Sequence, residues 1–150
     1  MSNEYLKIDN QLCFRLYSTS RKMTRLYQPF LEKFNLTYPQ YIVMLVMFEH
    51  REIDFKDLSN IVDLKTGTLT PIIQKLVSIG YLNKVKNTKD SRKINISLTE
   101  AGVLLEKNIL EVPVGLGNKL EISEEMYFKL TKELDDLTLL LRNASIKEEK

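Results

Sequence analysis

The sequence predicts a mainly α-helical chain with one small β-hairpin. Three observations carry this. Apolar residues recur at helical intervals along most of the 150 residues. The period drops to two in a single place, between Tyr81 and Leu98. Charge is also unevenly placed: from Lys65 to Lys93 there are seven cations and one acid, Asp90, so this segment carries +6 and the remainder −4. A basic segment on a mildly acidic body marks a polyanion-binding face.

The elements follow in chain order. Tyr5 to Phe34 reads as helix, with Leu12, Leu16, Met23, Leu26, Phe30 and Phe34 on the apolar intervals and Pro29 expected to bend or break it. Thr37-Tyr38-Pro39-Gln40 is a helix start, with Thr37 as cap, Pro39 in the first turn and Gln40 closing a capping box. The helix from Tyr41 to His50 is apolar nearly all round and therefore belongs in the core. Asp54 caps a short helix bearing Phe55, Leu58, Ile61 and Val62. After a break at residues 64–67, Leu69, Ile72, Ile73, Leu76 and Val77 define a second helix that Gly80 stops. Two short helices around a tight turn make a helix-turn-helix.

Tyr81 to Val85 and the alternating Ile94, Ile96 and Leu98 are two strands, and the basic run between them is a charged hairpin tip. Thr99-Glu100 opens another helix. A last helix, from about Ser123 to Asn143, spaces Leu130, Leu134, Leu137 and Leu141 at 4, 3 and 4, a seam suited to packing on another helix.

Composition excludes several classes. One cysteine and one histidine build neither a disulfide framework nor a Cys/His zinc cage, so no metal or cofactor is expected. His-based catalysis is not expected either; His50 reads as an exposed residue near a helix end. Asp135-Asp136 and Glu124-Glu125 read as solvated helix positions. No apolar run reaches a membrane span of about 20 residues. The first ten residues lack the apolar stretch of a signal peptide, which points to a reducing cytoplasm.

The order helix, helix-turn-helix, basic hairpin is that of a winged helix-turn-helix. The second helix of the pair fits the DNA major groove. Its outer face offers Thr66, Thr68, Thr70, Gln74 and Lys75, hydroxyl, amide and ammonium groups that reach base edges or phosphates. The hairpin tip carries Lys89, Arg92 and Lys93, suited to phosphates or the narrow minor groove. The expected organisation is one chain with a winged part at about residues 37–100. Helical dimerisation parts lie at about 5–34 and 101–150. The partners are a second copy and a pseudo-palindromic duplex operator.

The hairpin residues Asp90-Ser91-Arg92, followed by Ile94-Asn95-Ile96-Ser97-Leu98-Thr99-Glu100-Ala101-Gly102, resemble the wing and helix entry of MarR-type repressors. Gln11-Leu12-Cys13-Phe14-Arg15-Leu16-Tyr17, Leu36-Thr37-Tyr38-Pro39-Gln40-Tyr41 and Thr66-Gly67-Thr68-Leu69-Thr70-Pro71 are similar to the organic hydroperoxide resistance regulators (OhrR) and related one-cysteine sensors. The resemblance spans about Asn10 to Gly102 and weakens toward the C-terminus. It implies a peroxide-reactive thiol at Cys13, with Tyr27 and Tyr38 hydrogen-bonding the sulfur and Tyr17 nearby. It also implies a minor-groove role for Arg92, braced by Asp90. Lys65-Thr66 and Gln74-Lys75 depart from the residues such regulators often carry there. The function implied is a homodimeric repressor, not an enzyme, that leaves its operator when oxidant, then a small thiol, reacts at Cys13. The alternative is a MarR-type regulator that answers to a non-covalently bound phenolic or aromatic ligand. Cys13 and Tyr27 lie about 21 Å apart along one straight helix, so any meeting between them takes place across two chains.

Overall fold

The structure, a computed structural model, describes residues 3–87, 90 and 92–148, with side chains as far as residue 144. Two 3₁₀ turns, Asn3–Leu6 and Ile8–Asn10, lead into α1 (Leu12–Leu31). The helix therefore starts later than the apolar spacing predicts. Pro29 sits in the last turn of α1, two residues before its end, where its missing N–H costs one helical hydrogen bond without breaking the run. A 3₁₀ turn, Glu32–Phe34, then closes on Asn35 in the left-handed region (φ 56°), and the Leu36 N–H reaches back to the Leu31 carbonyl.

Helix α2 (Tyr38–His50) begins where Thr37 caps it, and the Thr37 N–H donates to Gln40 Oε1 at 2.8 Å. Its all-round apolarity puts Val43, Met44 and Met47 at the centre of the core. Helices α3 (Phe55–Val62) and α4 (Thr66–Ile79) pack on it through Leu58, Leu69, Ile73 and Leu76, each fully buried. Asp54 caps α3 by accepting the Lys56 N–H at 2.8 Å. Gly80, at φ 96°, closes α4 through its N–H to the Leu76 and Val77 carbonyls. Only glycine takes that backbone without strain.

Strands β2 (Leu82–Lys86) and β3 (Ile94–Leu98) form the predicted hairpin. The sheet has a third member: β1 (Glu52–Asp54) pairs antiparallel with β3, Ile53 opposite Ile96, giving the order β1-β3-β2. The Leu98 N–H also donates to the Arg51 carbonyl. Arg51 itself has positive φ (63°), and its guanidinium forks onto Glu106 at 2.6 and 3.2 Å.

Helix α5 (Glu100–Asn108) is capped by Thr99, whose Oγ1 accepts the Gly102 N–H at 3.0 Å. A Cβ on Gly102 would stand 2.4 Å from the Tyr81 carbonyl oxygen, so α5 leaves the sheet at backbone contact distance. Helices α6 (Glu111–Leu120) and α7 (Glu124–Glu148) both fall in the stretch expected to be helical, although the sequence marks only the second as a separate element. The chain divides into two compact units, residues 1–115 and 116–150, the division falling inside α6. In the second unit α7 is exposed along most of its length, Leu130 and Leu134 of the heptad-like seam included.

Candidate nucleic-acid interface and thiol site

Helix α4 is two-faced. Leu69, Ile73 and Leu76 point into the core, while Thr66, Thr68, Gln74 and Lys75 are exposed and Thr70 is half-buried. The core contacts thus fix the helix and leave its polar face outward, the arrangement major-groove reading requires.

Among the described residues of the wing tip, Asp90 is the centre of the hydrogen bonding. Its N–H donates to Asn87 Oδ1, its carbonyl accepts the Lys93 N–H at 2.9 Å, and Asn87 N–H closes onto the Lys93 carbonyl at 3.0 Å. Asp90 Oδ1 accepts the Arg92 N–H at 3.1 Å and lies 3.4 Å from Arg92 Nε. The Arg92 side chain is 92% exposed. The acid steadies the arginine's backbone and the base of its guanidinium, and leaves the rest free to meet an anion. Lys93 is exposed beside it; Lys89 lies outside the described residues.

Cys13 stands in the first turn of α1 and is exposed, so it does not act as a small core hydrophobe within this chain. Tyr27, on the same unbroken helix, is about 21 Å away along the axis. Tyr27 does meet Tyr38: their ring centroids are 4.8 Å apart. Tyr41 completes an aromatic trio, 5.8 Å from Tyr27 and 6.4 Å from Tyr38. The sequence held a signal for Tyr41, since i and i+3 share a helix face, but its apolar neighbours mark it as core. Burial pushes the Tyr38 and Tyr41 hydroxyls above their usual value of 10.0, and Tyr38 adds to the shift at Tyr41. Both are neutral O–H groups at physiological pH. Beside Tyr38 lies a pocket of about 340 Å³ with Leu31 and Leu36 in its wall and Arg25 and Gln28 on its rim. Tyr17 is placed separately: Arg21 donates to its hydroxyl at 3.1 Å and lies 5.4 Å over its ring. The structure therefore joins Tyr27 with Tyr38 and keeps Cys13 and Tyr17 apart from them in the same chain.

A winged helix with a polar reading helix and a cationic wing defines a DNA-binding transcriptional regulator. The family model for the transcriptional regulators SarA/Rot matches residues 25–109, and the chain belongs to that family, with the MarR-type fold. It is 40% identical over 110 residues to the organic hydroperoxide resistance transcriptional regulator of Bacillus subtilis, covering 73% of this chain and 75% of that one. It is 34% identical over 143 residues to the HTH-type transcriptional regulator SarZ of Staphylococcus aureus, covering 95% and 90%. Among solved structures, reduced AbfR bound to DNA superposes with a TM-score of 0.82 at 27% identity, over 96% of this chain and 99% of that chain. These relatives are transcription regulators, not enzymes. No helix among the described residues is long and apolar enough to cross a membrane.

Proposed function

We propose that the chain is a homodimeric repressor that senses organic hydroperoxide through Cys13 and then leaves its operator. The observation that carries the reading is the placement of the thiol and the tyrosines. An exposed Cys13 stands at one end of α1, and a packed Tyr27–Tyr38 pair at the other. Two antiparallel copies of α1 bring the thiol of each chain to the tyrosines of its partner. Neutral tyrosine hydroxyls there donate to the sulfur and favour thiolate.

The thiolate sulfur attacks one peroxide oxygen and the O–O bond breaks. Cys13 becomes sulfenic acid, and the leaving alkoxide takes a proton to become an alcohol. A small thiol then condenses with the sulfenic acid, releasing water and leaving a mixed disulfide. A group added between Cys13 and the tyrosines pushes on both chains and alters the spacing of the two α4 helices. In DNA binding, α4 reads base edges through Thr66, Thr68, Thr70, Gln74 and Lys75, and Arg92 enters the minor groove, braced by Asp90. Lys89 and Lys93 meet phosphates. Supporting the redox reading, AbfR is described in reduced and in disulfide-formed states.

The test is operator binding by reduced and by peroxide-treated protein, wild type beside Cys13→Ser. Wild type should release DNA on oxidation and the variant should keep it. Release by the oxidised Cys13→Ser protein would overturn the proposal. The pocket beside Tyr38 favours one second reading, a phenolic effector held there. That reading predicts release without oxidant in both proteins.

A further inference from the structure

We propose that the cleft between α3 and the wing seats the phosphodiester backbone of bound DNA, with Lys56 and Asn60 as contacts beyond the reading helix and wing tip. The inference rests on the DNA-binding reading. The cleft has a volume of about 540 Å³. One side is α3, presenting Lys56 and Asn60; the other is the wing, presenting Arg92 and Lys93. Phe55 and Ile94 contribute its apolar surface. Three cations from two separate elements thus face one trough, on the side of the molecule where Arg92 projects.

The N-terminus of α3 is not the attraction, because Asp54 already accepts the Lys56 N–H. An anion entering the cleft is met by side chains. The Lys56 ammonium has no ion-pair partner among the described residues, and Lys56 is exposed. The Asn60 amide lies one helical turn further on and supplies neutral N–H donors. Against these stand Asp54 and Asp57, two acids that also line the cleft and repel a phosphate; Asp54 is engaged as the α3 cap, and Asp57 is exposed. The presence of Asp57 makes the inference sharp, because two neighbouring residues on α3 must act in opposite directions. β1 pairs with β3, so α3 and the wing are held at a fixed separation for a strand of fixed width.

The experiment is a salt titration of binding to a mixed-sequence duplex long enough for two half-sites, since phosphate contacts are independent of sequence. Lys56→Ala should weaken binding several-fold and lower the slope of log affinity against log salt by about 1 per half-site. Lys56→Arg should restore both. Asp57→Asn should tighten binding. Unchanged affinity and slope in Lys56→Ala, with a wild-type chain that binds, would overturn the inference alone. A wild-type chain that binds no duplex would overturn the DNA reading beneath it.

Discussion

Tyr27, Tyr38 and Tyr41 show what a side chain gains from its neighbours. Each ring packs on the others, and the two on α2 are desolvated enough to hold their protons above the usual value of 10.0. A tyrosine whose folded-state value is raised leaves stability flat below the unfolded value. Above it, the unfolded chain ionises first and stability is lost as pH rises through the folded value. Thermal unfolding should therefore be level through neutrality and fall above about pH 10. Tyr38→Phe should soften that fall. The proposed sensing role makes a second demand. A hydrogen bond to a charged group is worth about 1.5–3 kcal/mol, so removing the donor should slow oxidation of Cys13 by about ten- to a hundredfold. Stopped-flow oxidation of Tyr27→Phe and Tyr38→Phe measures this, with reduced-state DNA binding unchanged. Wild-type rates in both would return the tyrosines to a packing role.

Among the elements, the junction between α4, the sheet and α5 has the least slack. Thr99 caps α5 while its hydroxyl lies 2.6 Å from the Gly80 carbonyl oxygen, and Gly102 packs on the Tyr81 carbonyl. A methyl at Gly102 meets backbone that cannot rotate away, so Gly102→Ala should cost about 3 kcal/mol, measured by denaturant unfolding. The wing makes a different prediction. Arg92→Ala should weaken operator binding far more than Lys93→Ala, because a minor-groove arginine reads shape as well as charge. Equal losses on operator and random duplexes for both variants would reduce Arg92 to a phosphate contact. Much of this was legible from punctuation: Asp54, Gly80 and Thr99 stand where they cap and stop helices. β1 was not, because Glu52–Asp54 is too short to show a period of two and exists only through β3. Nor was α6 as a separate element within the helical C-terminal stretch, since Pro113, Gly115 and Gly117 weaken its helical signal. Gly115 is required by packing, since a Cβ there would stand 2.4 Å from the Phe30 ring.

For the whole molecule, the exposed apolar surface is the governing fact. Leu12, Phe14 and Leu16 on α1 and Met126, Phe128, Leu130 and Leu134 on α7 all face solvent in a single chain. A monomer rarely exposes so much apolar surface without a partner. Sedimentation should therefore give a dimer before DNA is added, and a monomer at micromolar concentration would sink the intersubunit sensor. The sequence named the candidate residues but not their arrangement. The interval from Cys13 to Tyr27 shows that they do not meet in one chain, while the 4.8 Å approach of Tyr27 to Tyr38 depends on how α1 crosses α2. No spacing within either helix encodes that crossing.

The strand order has a mechanical consequence. β3 is flanked on both edges, by β2 and by β1, and β1 runs directly into α3. The wing is therefore not a flap hinged on two free strands. It is one arm of a stiff bracket whose other arm is α3, and Arg51 bolts the corner of that bracket to α5 through Glu106. Moving the wing away from α3 therefore means breaking the β1–β3 backbone pairing, and so the two are carried together.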